Sequence, residues 1–309
     1  MKRIACAVAL ALTAQGAKAH AVAAGDAEAG LRMVVGALLV LSALLYAAGY
    51  YRVSQSSARL VAVRRSAALF GAGWLTVAIA LVSPLAAMTA GLFGAHMMQH
   101  ELLMVVAAPL LVLGRPLAMW MWALPRAWRA APARVVHAGA FARVWDRLAS
   151  PIGASVVHGA AIWLWHIPRV FELSEVSVGA HALQHAAFLF SALLFWWALL
   201  KPVRGGRVGT SVMCLFVTML HTGALGVLLT FSGQVWYPAA TAHAAHWSLT
   251  ALEDQQLGGL VMWIVGGLPY VAAALALAAR WFLTRESAEV PAPSMKDGAP
   301  GSSYRRSAA

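Results

Sequence analysis

Charge is scarce in this chain of 309 residues, and cysteine is scarcer still. Charged residues make up 11% of it, whereas a soluble globular domain carries about 25%, so water is not its main solvent. Cys6 and Cys214 are the only cysteines and no C-x-x-C pair occurs, which excludes a disulfide framework and a thiolate copper shuttle. Eleven acids stand against 23 Lys and Arg, and those near the candidate site described below, Glu101, Glu172, Glu175, Glu253 and Asp254, are too few for the oxygen cage of a calcium or magnesium site. No phosphate loop, paired acids or activated nucleophile appears, so the chain does not read as an enzyme. The formal charge of +12 does not point to nucleic acid, because the basic residues fall in short segments between apolar runs rather than on one folded patch.

What is abundant is apolar length. Hydrophobic residues are 61% of the chain and the mean hydropathy is +0.72. Runs over 31–51, 67–90, 96–113, 151–168, 179–200, 211–231 and 255–283 approach or exceed the roughly 20 residues that a spanning helix needs. They are too long and too unalternating for barrel strands, and backbone in lipid must satisfy its own hydrogen bonds. The expected fold is therefore all-α: a polytopic membrane helix bundle of about seven transmembrane helices forming one domain over residues 20–283. Ahead of it, Lys2 and Arg3, an apolar stretch to about Ala14 and Ala17-Lys18-Ala19 read as a signal peptide over 1–19. Cleavage there would leave His20 at the new N-terminus, with its free amine and imidazole available to a metal. Residues 284–309, rich in Pro, Gly, Ser and charge, read as a disordered cytoplasmic tail.

Orientation follows from where the cations lie. The 52–66, 115–150 and 201–210 segments and the C-terminal tail together hold 18 Lys and Arg, against Arg32 and Arg169 in the alternate segments. By the positive-inside rule the N-terminus is outside and the C-terminus cytoplasmic, in a bacterial inner membrane. The 115–150 segment interleaves Trp120, Trp122, Trp128 and Trp145 with arginine, a pattern of helices lying along the inner headgroups or of a solvated connector.

In that frame His20, His96, His100, His166, His181, His185, His243 and His246 lie at or beyond the outer, periplasmic face. His158 and His221 lie near mid-depth, and only His137 is cytoplasmic. Ionisable residues inside a membrane are costly and mark functional sites. Two segments share the pattern H-x-x-Q-H: His96 to His100 and His181 to His185. Residues four apart share a helix face, so each pair can present two imidazoles to one ion. The motifs are 85 residues apart and follow Pro84 and Pro168 at a near-matching offset, as in a parallel internal repeat with a ligand between its halves. His158 and His166 are separated by about 12 Å along one helix, which implies two depths. His221 is a natural mid-depth partner for His158, as a second site or a core contact.

Imidazole suits zinc, copper, iron or nickel, and thioether favours copper(I). Met88, Met97 and Met98 accompany the first pair, though methionine also fills gaps between helices. Gln99 and Gln184 are placed either to orient the rings or to bond neighbouring helices. Two other readings stay open. His158 with His221 could ligate a b-type haem, although paired histidines on one helix do not suit haem. A metal or proton transporter with a histidine relay is the other; no pair of broken helices supports it, although Gly258-Gly259 and Gly266-Gly267-Leu268-Pro269 make the last span deformable.

The segments 96–116 (HMMQHELLMVVAAPLLVLGRP), 158–168 (HGAAIWLWHIP), 181–200 (HALQHAAFLFSALLFWWALL), 221–231 and 254–270 (DQQLGGLVMWIVGGLPY) closely resemble the caa3-type cytochrome c oxidase assembly factor (CtaG) family of multi-span membrane proteins. The likeness runs in order over roughly residues 30–283. It implies a non-catalytic role in forming haem-copper oxidase, with copper as the cargo delivered to an oxidase subunit. The residues it carries over are His96, His100, His158, His166, His181, His185 and His221 as metal ligands, with Asp254, Gln255 and Gln256 as polar companions. A single-span copper chaperone that shares the abbreviation carries paired cysteines, which are absent here.

Overall fold

A computed structural model describes residues 2–55, 60–129, 139–201 and 207–289, with side chains from residue 26 onward except at 140, 207 and 284–289. The backbone of the expected signal segment is helical from Lys2 onward, while its side chains, the side chain of His20, His137 and the tail beyond residue 289 lie outside what is described.

The described chain is helical with no strand. Six helices are long and apolar enough to cross a membrane, and a bent pair brings the number to seven. The first helix, α1 (Lys2–Ser54), contributes the span Asp26–Ser54. It packs against α2 (Leu60–Val82) and the short α6 (Pro116–Ala123). Arg52, near the end of α1, donates to the carbonyls of Trp122 and Ala123 at 3.1 and 2.7 Å, satisfying acceptors that the C-terminus of α6 leaves open. The sequence places the second span from residue 67, whereas α2 begins at Leu60 and takes Arg64 and Arg65 into its first turns. Long cationic side chains at a helix end reach back to the interface, so charge there does not stop the helix.

A short helix, α3 (Pro84–Met88), precedes the central span. That span consists of α4 (Phe93–Glu101), a π-helical segment over Leu102–Ala107, and α5 (Ala108–Gly114). Of its most apolar stretch 56% is buried, against 6% for the first span, so the helix carrying His96 and His100 is the axis of the bundle and α1 faces lipid. The last span repeats the pattern: α12 (Ala251–Leu260), a π segment over Val261–Val265, then α13 (Gly266–Glu289). Each π segment leads into a proline, Pro109 or Pro269. A helical proline lacks its N–H and clashes with the carbonyl four residues back, here Val105 or Val265, and widening the turn at that carbonyl relieves both faults.

The fourth span departs from the expected single run. α7 (Gly139–Leu148) meets α8 (Pro151–Trp165) at a 76° bend. Fifteen residues of α8 span about 22 Å, short of a hydrocarbon core of about 30 Å. Phe141, Val144 and Leu148 are exposed along one stripe of α7 while Arg143 and Arg147 lie off it, the pattern of a helix lying in the interface plane. Its neighbour Trp145 packs on Trp197 with ring centroids 6.1 Å apart.

After α9 (Pro168–Val176), α10 (Val178–Leu200) packs on α8 and α5, and α11 (Arg207–Thr230) packs on α8, α12 and α13. Gly226 and Gly259 let α11 and α12 touch backbone to backbone, since a Cβ on either would lie within 2.8 Å of main-chain atoms of the other helix. The core between α4, α8, α10, α11 and the last span is aromatic: Phe93, Phe171, Phe188, Phe195, Trp196 and Tyr237 are fully buried.

Candidate metal centre

The two H-x-x-Q-H segments open α4 and α10, and the helices bring them face to face. Each follows the same local plan: a proline starts a short helix, α3 or α9, and the chain then turns into the helix that carries the motif. Within each pair the ring centroids lie 4.4 Å apart, as a spacing of four on a helix dictates. Across the pair of helices His96 lies 5.1 Å from His181 and 6.0 Å from His185, and His100 lies 5.3 Å from His185. One ring nitrogen from each of His96, His181 and His185 falls within 4.8 Å of the other two. His96 and His100 are wholly buried, while His181 and His185 are half-buried.

The cluster's polar atoms are short of partners. Both nitrogens of His96 and His100, Nε2 of His185 and both amide atoms of Gln184 are buried without a hydrogen bond among the described residues. Buried polar groups are nearly always paired, and so dense a set of orphans is what a site built around an ion or water looks like. Oε1 of Glu175 lies 3.1 Å from Nδ1 of His96, though off the line of a hydrogen bond. A carboxylate beside one imidazole nitrogen favours the proton on that nitrogen and leaves the other free to bind a metal. The sequence lists Glu175 only among scarce carboxylates; its place beside His96 depends on α9 folding back, which no local pattern encodes.

His166 caps α8. Its Nδ1 donates to the Ile162 carbonyl at 2.7 Å, leaving Nε2 bare, buried and without a partner. It shares two aromatic neighbours with the cluster: Phe171 packs on His96 and His166, and Phe188 packs on His100 and His166. Tyr237 donates to the His166 carbonyl at 2.7 Å, and burial holds its phenol well above the usual tyrosine range, so this donor keeps its proton.

His158 and His221 bond elsewhere rather than to each other. Nδ1 of His158 meets Ser191 Oγ at 2.9 Å, and its Nε2 lies 3.5 Å from the Tyr270 hydroxyl. The indole of Trp163 donates to Nδ1 of His221 at 3.2 Å, which places the neutral ring's proton on Nε2. His221 lines a groove of about 420 Å³ between α8 and α11. Met97 points away from the cluster, into the main core against Gly258.

The polar companions are structural. Asp254 accepts from the backbone N–H groups of Phe93 and Gly94 at 2.7 and 2.9 Å, capping α4 where Leu92 offers no side-chain cap. Gln255 bonds Trp236 and Gln234, and Gln256 bonds Ser232, pinning the loop before α12. That loop also carries His243, whose ring sits over Gly91, where φ is +86° and a Cβ would collide with Nδ1. Gln99 donates to the Ala80 carbonyl at 2.6 Å and so joins helices, while Gln184 makes no such bond.

These features define a multi-span helical membrane protein with a buried histidine cluster between two of its spans. Residues 44–284 match the model of the cytochrome c oxidase caa3 assembly factor family (Caa3_CtaG). The chain belongs to that family, which is one of assembly factors rather than enzymes. It is 28% identical over 271 residues to uncharacterised proteins of Mycobacterium bovis and Mycobacterium tuberculosis, and 24% identical to one of Mycobacterium leprae. Each alignment covers 80% of this chain, and the chain spans 38% of the length of these relatives. No solved structure matches it.

Proposed function

We propose that this chain binds copper at His96, His181 and His185 and passes it to a subunit of a haem-copper oxidase during assembly. His100 and His166 complete the surroundings of the ion, and the cluster faces the periplasm. The observation that carries this reading is the convergence of three imidazole nitrogens from two helices within 4.8 Å, among ring nitrogens that have no other partner. Neutral imidazoles suit copper or zinc, and membership of an oxidase assembly family favours copper. The excess of Lys and Arg in alternate segments supports the orientation. Haem fits less well, because the four rings pack at 4.4 to 6.0 Å and leave no slab for a macrocycle. His221 offers a protonated Nε2, which makes it a hydrogen-bond donor rather than a ligand.

Half-burial of His181 and His185 supplies the side from which an ion is received and released, while the buried pair on α4 holds it. The test is oxidase assembly in a deletion strain complemented with His96→Ala/His181→Ala. The expected result is chain inserted at parental level, with oxidase lacking copper and activity at ordinary copper supply and partly rescued by added copper. Full oxidase activity in the double variant without added copper would overturn the reading.

A further inference from the structure

Glu101 follows His100 directly, yet its carboxylate belongs to a different place. It is 6% exposed and makes no hydrogen bond to any described residue. Its carboxylate lies over Gly266, where a Cβ would come within 2.7 to 2.9 Å of it. Both π segments meet here, because Glu101 precedes the first and Gly266 follows the second. The carboxylate lines a cavity of about 10 Å³ together with Met104, Thr222, Met262 and Tyr270. That volume suits one atom-sized occupant.

The groups around the cavity are prepared for a cation. Ser191 donates to the Phe188 carbonyl, so its oxygen accepts from Nδ1 of His158 at 2.9 Å. His158 therefore carries its proton on Nδ1 and accepts at Nε2 from the Tyr270 hydroxyl, 3.5 Å away, so the Tyr270 oxygen keeps lone pairs for the cavity it lines. The hydroxyl of Thr222 spends its proton on the Thr218 carbonyl, leaving oxygen lone pairs for the cavity it lines. An unpaired carboxylate in the membrane interior is costly, and two thioethers select copper(I) over hard cations.

We propose that this cavity is a second, interior copper station, holding one copper(I) ion between Glu101 and the thioethers of Met104 and Met262, with the Tyr270 hydroxyl, oriented by His158, beside it. It rests on the copper reading of the outer cluster and gives that cargo a deeper position between the third, fourth, sixth and last spans.

The experiment loads detergent-purified full-length chain with copper(I) under ascorbate, counts copper by elemental analysis and examines it by X-ray absorption. The parent is expected to hold about two ions and His181→Ala/His185→Ala about one, as separate stations require. The remaining ion should show sulfur scatterers that weaken in Met262→Leu, and should be lost when Glu101→Gln is added. Glu101→Gln is nearly isosteric and Met262→Leu conserves volume, so folding is preserved. Retention of the last ion in the Glu101→Gln triple variant, or a shell of nitrogen and oxygen alone, overturns the interior station. One ion in the parent, insensitive to Glu101→Gln, removes the interior station and leaves the outer one, whereas no copper in the parent removes both.

Discussion

Replacing His181 and His185 together by alanine tests the outer cluster most directly, because these two rings supply two of the three converging nitrogens. Zinc-finger peptides hold their ion with about 10–16 kcal/mol through four donors, so one donor is worth about 3 kcal/mol, roughly a hundredfold in Kd. Losing two should weaken copper binding by roughly 10⁴-fold if their contributions add. The fold should survive, because both side chains are half-buried and neither belongs to the main core; substitutions of this kind cost under about 2 kcal/mol. The assay is competition against a copper(I) chelator of known affinity, run on purified Glu101→Gln chain with and without the two alanines so that only the cluster's ion is read, with thermal unfolding measured beside it. A Kd within about threefold of the parent, less than ~1 kcal/mol, would refute the reasoning, as those rings would then not hold the ion. A collapse in thermal stability with no separate loss of affinity would equally show that the cluster is packing rather than a ligand set.

Three further outcomes follow from individual contacts. Glu175→Gln should weaken copper binding about 10- to 100-fold at unchanged protein yield, since a carboxylate beside a ligating imidazole is worth that much; the same chelator competition measures it, and unchanged affinity would remove Glu175 from the site. Asp254→Ala should lower the unfolding temperature through loss of the two N–H bonds that cap α4, a cost of about 0.5–2 kcal/mol or somewhat more for a buried charged acceptor. His221→Ala should leave copper affinity at the outer cluster unchanged while altering the fluorescence of Trp163, which donates to it; loss of copper would show that the ring binds through Nε2 after all.

Much of the bundle was legible because a spanning helix announces itself by length. The fifth and sixth runs, 179–200 and 211–231, correspond to Val178–Leu200 and Val208–Thr230. The fourth run hid a break, since Ala149, Ser150 and Pro151 barely dent its apolar character while turning the chain by 76°. The π segments were illegible for a similar reason: Pro109 and Pro269 announce a local fault but not how the helix absorbs it. The paired histidines could be read off because helical periodicity fixes which residues share a face. Position along each run made His158 and His221 candidate partners. Azimuth could not be read, and rotation about the helix axes gave His158 to Ser191 and Tyr270 and His221 to Trp163. Glu175 and Glu101 were legible only as nearby carboxylates, and their neighbours were not, because these come from helices distant in sequence.

The cap on α4 ties two ends of the chain into one mechanical piece. Asp254 sits at the start of the last helix and grips the first turn of the helix that carries His96 and His100, 160 residues earlier. A tilt of the final helix is thus passed directly to the first turn of the helix that carries the imidazoles. The grip on an ion and the posture of the last helix cannot be set independently.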